Sequence, residues 1–297
     1  MTRIALVTAA AARDLDDDLP PLVAALREAG VDASIAEWDD AAIEWPRFDL
    51  AVLRSTWDYS MRLAEFLAWV DRVSVATTLL NPREVVRWNT DKHYLAHLAD
   101  AGVPTVPSTF VEPDDDAARA LDAFLDRIDG EFVVKPSVGA GSRDAQRYAR
   151  DERDRAIAHA KRLLDASRSV LLQPYLGRVD AHGETALLFF DGHFSHAIRK
   201  GPLLRRGEGP TRALFAAEHI TPRDASAAEI AVAERTLAAI PFAKPLLYAR
   251  VDLIHDDAGT PCVLELELSE PSLFFAHAPG SAQRFAAAIT ARARAKD

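Results

Sequence analysis

The chain has 297 residues, 49% hydrophobic and 27% charged, a composition ordinary for a soluble protein and a length that suits two or three linked units. Its 35 Lys+Arg against 45 Asp+Glu leave a net charge of −10, which argues against a general nucleic-acid binder. One cysteine, Cys262, excludes an internal disulfide and a cysteine-built metal site, and no apolar run approaches the ~18 residues of a membrane span.

Arg3 to Val7 reads as a buried strand with no secretory hydrophobic segment before it, so a cytoplasmic protein is expected. An acidic loop, Asp14 to Asp18, follows, and Pro20-Pro21 then opens a helix that Gly30 ends. Strands over 31–38 and 48–55 continue the βαβ rhythm of a parallel sheet, whose ligands sit beyond the carboxyl ends of the strands. The acidic loop therefore shares a rim with Arg54, Ser55 and Trp57. The planar fork of Arg54 suits a carboxylate ligand, and it suits a neighbouring aspartate equally well. No G-x-G-x-x-G follows the first strand, which leaves a dinucleotide site little support.

Asn81-Pro82 marks a boundary. One helix is expected from Glu84 to Gly102, a Pro-punctuated connector and strand over 103–116, and an amphipathic helix over 117–128. A strand from Glu131 then reaches Lys135, where Pro136 is expected to stop it. Ser137, Gly139, Gly141 and Ser142 follow closely, ahead of Arg143 and Asp144. Two glycines two apart permit positive φ and a close approach to a bulky anion. Free N–H groups and serine hydroxyls supply donors, and Lys135 supplies a point charge that phosphate favours. The competing reading is a solvated turn beside an incidental lysine. A helix over roughly 152–166 and a strand over 169–176, stopped by Pro174, complete a small, lid-like middle region.

In the last third, Asp191-Gly192 joins two alternating runs, 184–190 and 193–200, as a hairpin turn. A second hairpin joins 247–254 to 261–268. Between them, 201–219 is glycine-rich, basic and without period, and reads as a mobile loop; 281–295 reads as a helix. On the second hairpin, alternation puts Glu265 with Glu267 on one face and Arg250 with Asp252 on one face of the partner strand. A turn near Ala258 brings Asp252 opposite or diagonal to the glutamates. Two carboxylates ~7 Å apart repel by roughly 2 kcal/mol at an effective dielectric near 20. A half-buried face holds such a cluster only with a cation, and all-oxygen ligands point to Mg²⁺ shared with phosphates. The alternative is a solvent-washed polar face.

A glycine loop with its lysine, followed by a carboxylate hairpin, resembles the ATP-grasp ligases over nearly the whole chain. The resemblance implies an α/β and α+β architecture. An N-terminal parallel α/β domain spans 1–88, a small α+β lid domain 89–172, and a larger antiparallel α+β domain 173–297. It implies ATP and Mg²⁺, with Lys92 and Lys135 on the nucleotide phosphates and Ser137, Gly139, Gly141 and Ser142 in the lid loop. The adenine hinge falls on 172–176, including Gln173, Tyr175 and Leu176, and the ribose acid on Asp180. Asp252, Glu265 and Glu267 match the metal ligands, although the family more often carries asparagine at the last. Arg250 matches an arginine on the transferred phosphate, and Lys200 is a further phosphate candidate.

Segments 53–59, 183–200 and 264–275 look most similar to the group containing the O-ureido-D-serine cyclo-ligase, which closes the ring of D-cycloserine. That similarity implies activation of a small-molecule carboxylate as acyl phosphate and attack by a nitrogen of the same molecule, with Arg54, Ser55 and Trp57 on the substrate. Two other readings stand beside it: an intermolecular ligase resembling D-alanine–D-alanine ligase or glutathione synthetase, and a non-catalytic nucleotide-binding regulator. The expected partner is a small molecule rather than nucleic acid or membrane, and a homodimer is left open.

Overall fold

The computed structural model describes residues 2–204, 207, 218–243 and 245–295. The loop expected over 201–219 lies mostly outside the described residues. Three sheets organise the rest. The first is parallel, with order β2-β1-β3-β4, from β1 (Arg3–Thr8), β2 (Asp32–Glu37), β3 (Leu50–Ser55) and β4 (Thr78–Leu80). Alternation along β1 and β3 feeds both of its faces. Ile4, Leu6, Leu50 and Val52 pack on one side with Leu19 and Leu22 of α1 (Leu19–Glu28), while Ala5, Val7, Ala51 and Leu53 pack on the other. That second side meets α2 (Leu63–Ala76) through Phe66, Trp69, Val70 and Val73, a three-four spacing that marks a helix face.

The single helix expected over 84–102 is two, α3 (Arg83–Asn89) and α4 (Tyr94–Asp100). Between them Lys92 leaves the helical path, its backbone N–H donating 2.9 Å to the Ser137 carbonyl. The middle sheet is antiparallel, order β5-β8-β6-β7, from β5 (Thr109–Val111), β6 (Phe132–Pro136), β7 (Gln146–Tyr148) and β8 (Val170–Pro174). Its apolar face is covered by α5 (Ala117–Leu125) and α6 (Arg153–Asp165). Pro136 does not stop β6 at Lys135: it is the strand's last residue, opposite Val170, and lacks only a donor there. A domain boundary at 172/173 would cut β8 in two.

The third sheet is antiparallel, order β11-β10-β9-β12-β13, from β9 (Glu184–Phe190), β10 (His193–Lys200), β11 (Ile220–Arg223), β12 (Tyr248–His255) and β13 (Pro261–Glu267). Asp191 and Gly192 both take positive φ, 49° and 81°, which is what a two-residue hairpin turn asks for. A short helix, α7 (Val179–His182), leads into β9. A further helix, α8 (Ala227–Ala239), starts on a capping box in which Ser226 and Glu229 bond each other's backbone N–H. The last helix, α9 (Ser281–Arg294), packs against α1, so the chain's end returns to the first sheet and shares its core through Phe285 and Ile289.

Two buried asparagines fasten the first unit to the third sheet. Asn81 donates Nδ2 to the carbonyls of Tyr248 and Leu268, 2.9 Å each, and accepts the Leu247 N–H at 2.8 Å. Asn89 donates to the Leu266 carbonyl at 2.7 Å and accepts from the Leu268 N–H at 2.6 Å. Asn81→Ala would leave buried backbone groups without partners at a junction between sheets. It is expected to cost about 3 kcal/mol, read as a lower urea midpoint at unchanged slope. A loss below about 0.5 kcal/mol, the scale of a neutral surface change, would contradict the pinning role.

Candidate active site

One cleft of about 460 Å³ lies between the middle and third sheets, reached by the acidic loop of the first unit. Its floor is the β12–β13 face. Arg250 pairs with Glu267 and Asp252 with Glu265, and a bulge after Asp252 ends that register. Four charged side chains therefore stand on one face, as the alternation predicted. Every acid there meets a cation. Asp252 accepts from Lys200 Nζ at 2.6 Å and from Arg250 Nε at 2.8 Å; Arg250 also pairs with Glu267 and donates 3.2 Å to the Ser272 carbonyl. Lys92 Nζ sits 3.0 Å from Glu265 and donates 2.7 Å to the Gly139 carbonyl.

Glu184, which the sequence reading passed over, is 3.0 Å from Lys200. Counting out from the Asp191-Gly192 turn would place it opposite Arg199; a bulge between Phe194 and His196 shifts the register by one and sets it opposite Lys200. Glu270 is a second omission. It lines the cleft after β13 and accepts a hydrogen bond from the Tyr59 hydroxyl. Around the sheet face, five acids (Glu184, Asp252, Glu265, Glu267 and Glu270) thus stand with four cations (Lys92, Lys135, Lys200 and Arg250), while Asp16, Asp17, Asp18, Glu218 and Arg143 line the cleft as well. Burial works to raise Asp252 and Glu265, but Arg250 with Lys200, and Lys92 with Lys135, hold them below the usual carboxylate range. Burial pushes Glu267 up to about 8 in spite of Arg250.

The glycine loop forms the roof through Gly139, Gly141 and Ser142. Positive φ falls on Gly141, Ser142 and Asp144 at 61°, 57° and 58°, not on Gly139. Gly139 matters for space, because a Cβ there would lie 3.2 Å from Pro136 Cγ. Ser137 does not reach the cleft: it is buried, with its N–H on the Ser169 carbonyl and its carbonyl on Lys92. Asp144 is taken by Arg162 and Arg168, both at 2.9 Å, which anchors the loop to α6 and to the connection into β8.

Gln173, Tyr175 and Leu176 line the far end, beside Val133, Ile254 and Leu264. The Tyr175 N–H already donates to the Glu131 carbonyl at 2.8 Å, so this amide is not a free hinge donor. Asp180 stands outside the cleft, bonded to Arg147 and to the Tyr175 hydroxyl. Of the three residues expected at the substrate rim, Trp57 lines the cleft while Arg54 and Ser55 do not. Ser55 is buried against Thr8, their hydroxyls 2.7 Å apart. Arg54 is 1% exposed and donates 2.9 Å to the Pro271 carbonyl, a brace beneath the site.

The three acids expected to hold the metal, Asp252, Glu265 and Glu267, share one sheet face. Both oxygens of Asp252 are engaged by Arg250 and Lys200, and no three acids among the described residues converge as a metal site. Glu265 and Glu267 still fit a hard cation: they stand two apart on one face of one strand and offer only oxygen.

A glycine loop closing over a lysine-rich cleft, between an antiparallel middle sheet and a sheet floored by carboxylates, defines an ATP-grasp ligase, a class that uses ATP and a divalent cation. The comparisons narrow the class. Residues 4–81 match the family model of the N-terminal domain of D-cycloserine synthetase DcsG. The cycloserine biosynthesis protein DcsG of Streptomyces lavendulae is 45% identical over 295 residues, covering 97% of this chain and 98% of that one. The crystal structure of D-cycloserine synthetase DcsG superposes with a TM-score of 0.93 at 44% identity, covering 98% of this chain and 99% of that one. The D-alanine–D-alanine ligase of Bacillus anthracis, complexed with ATP, shares the fold at a TM-score of 0.70 and 16% identity, covering 99% of this chain and 97% of that one. The chain belongs to the D-cycloserine synthetase DcsG family.

Lys135 yields a pH-dependent expectation. Burial lowers its ammonium to about 8, against the pull of Glu265. A bound phosphate favours the charged form, so ATP binding near pH 8.5 should take up a proton, and affinity should fall as pH rises through 8. Calorimetry in buffers of different ionisation enthalpy measures that uptake, and Lys135→Met should abolish it. Equal uptake by the variant would assign the proton to another group.

Proposed function

We propose that this protein closes the ring of O-ureido-D-serine, using ATP and Mg²⁺ in the cytoplasm, and so makes D-cycloserine. The observation that carries the proposal is the Lys200–Asp252–Arg250 network facing the Lys92–Glu265 pair in one cleft, in a chain 45% identical to a cycloserine biosynthesis protein. An amide does not form spontaneously from a carboxylate at neutral pH. In the proposed first step a carboxylate oxygen attacks the γ-phosphorus of ATP and ADP leaves. The N–H nitrogen of the substrate's ureidooxy group then attacks the acyl carbon and gives up its proton, and phosphate leaves with the electrons of the broken C–O bond. Hydrolysis of the carbamoyl group from that nitrogen releases carbon dioxide and ammonia and leaves D-cycloserine.

This chain's residues supply charge and position. Lys92 and Lys135 would meet the nucleotide phosphates, and Arg250 and Lys200 the transferring phosphoryl group. The acids that hold these cations also keep them in place before ATP arrives, so little reorganisation is left for the reaction. Glu265 and Glu267 would hold Mg²⁺, with Asp252 opposite Glu265 as the third acid, and the metal would neutralise phosphoryl charge. The loop from Gly139 to Arg143 would cover the acyl phosphate and exclude water. An intermolecular ligase has only the fold in its favour, since the D-alanine–D-alanine ligase is 16% identical.

The test is ADP release in the presence of O-ureido-D-serine, with ammonia assayed and the product mass read. A cyclic product supports the proposal; dipeptides from free amino acids with no cyclic product would replace it. Glu265→Gln should cut ADP release at least 100-fold with Mg²⁺ present, because it removes a metal ligand and leaves Lys92 unpaired. Gly141→Val should reduce turnover far more than the melting temperature, since the left-handed backbone at φ 61° admits a β-branched residue only with strain.

A further inference from the structure

Of the five acids around the transfer site, four are bonded to cations: Glu184 and Asp252 to Lys200, Asp252 and Glu267 to Arg250, and Glu265 to Lys92. Glu270 has no ion pair among the described residues, yet it is 7% exposed and lines the cleft. A buried carboxylate is ordinarily matched by a cation. This one is instead held in place from three sides. Its backbone carbonyl accepts the Trp57 indole N–H at 3.0 Å, Arg54 grips the next carbonyl, and the buried Tyr59 hydroxyl donates to its side chain. Such bracing belongs to a group that must point one way. Burial raises Glu270 to about 7, and Lys92 and Arg250 are close enough to oppose that rise.

We propose that Glu270 is the binding group for the α-ammonium of the amino-acid substrate. The inference rests on the reading that an amino acid's carboxylate is activated here. In an α-amino acid the ammonium nitrogen lies about 2.5 Å from the carboxyl carbon, by bond lengths and the N–Cα–C angle alone. A carboxylate placed for phosphorylation beside Arg250 therefore carries its ammonium into the immediate surroundings of that cation. Glu270 is a buried acid close to Arg250 and Lys92 that neither of them pairs. Trp57, on the cleft wall and bonded to the same residue, limits the space around the group. The substrate class is therefore a small carboxylic acid bearing a free, charged α-amino group; an acylated or deaminated acid would leave Glu270 uncompensated.

The experiment compares O-ureido-D-serine with its des-amino counterpart, 3-(ureidooxy)propanoate, by kcat/KM for ADP release. Wild type should prefer the amino acid by about 10- to 100-fold, the range of a charged hydrogen-bonded pair. Glu270→Gln should raise KM for the amino acid by a similar factor, keep the KM for ATP within about twofold, and bring the preference close to one. Tyr59→Phe, which keeps Glu270 and removes its donor, should lower the preference about threefold and serves if Glu270→Gln does not fold. An unchanged preference in Glu270→Gln, or in Tyr59→Phe should that alone fold, overturns the inference, as does a wild type that uses both acids equally. A wild type inert toward both acids fails the proposed activity itself, and the inference falls with it.

Discussion

Five carboxylates on and beside one buried sheet face are the constraint around which the molecule is built. Any two carboxylates about 5 Å apart repel by roughly 3 kcal/mol at an effective dielectric near 20, so such a face holds together through the cations delivered to it. Each cation comes from a different element. Lys200 ends β10, Arg250 stands within β12, Lys135 stands within β6, and Lys92 comes from the break between α3 and α4. The helix break is therefore no defect of packing. A continuous helix would carry Lys92 along its axis, whereas the break sets its amine between Glu265 and the Gly139 carbonyl.

The first unit contributes to the same site by holding the segment after β13. Asp18 accepts the N–H groups of Leu273, Phe274 and Phe275 at 2.6, 3.0 and 2.8 Å. Phe274 sits in the left-handed region at φ 54°, a conformation costly for an aromatic residue, and the Asp18 bonds on either side fix it there. Arg250 lies 5.5 Å from its ring centroid, close enough for a cation–π contact. With Arg54 on Pro271 and Trp57 on Glu270, the chain from 270 to 275 is tied to the first sheet and to the transfer site at once. The acidic loop thus works as a clamp on backbone amides.

How much of this was legible depends on the range of the interaction. On the second hairpin, alternation sets which side chains of each strand share a side, and that is local; the bulge after Asp252 then brings Asp252 opposite Glu265. On the first hairpin, counting out from the turn puts Glu184 opposite Arg199, and a bulge between Phe194 and His196, which the pattern of residues does not signal, brings Lys200 there instead. What could not be read locally is the partner of a lone charge. Arg54 at a strand's end looks like a ligand group, but its partner is a carbonyl 217 residues away in sequence. Asp180 looks like a ribose acid, and Arg147 from the middle sheet takes it. Asn81 and Asn89 gave no signal, since an asparagine that bonds distant strands resembles any turn residue. Helix α2 was readable from its Phe66, Trp69, Val70, Val73 spacing, and α8 from Ser226 and Glu229, and neither was expected.

The central claim is that the carboxylate face and its cations transfer a phosphoryl group to the substrate acid. It is tested most directly by labelling that acid's carboxylate with oxygen-18 and following the inorganic phosphate released. An acyl phosphate bridges carbon and phosphorus through a carboxylate oxygen, so nitrogen attack at carbon must leave that oxygen on phosphate. The account predicts labelled phosphate in step with ADP; phosphate that stays unlabelled while cyclic product accumulates would contradict it.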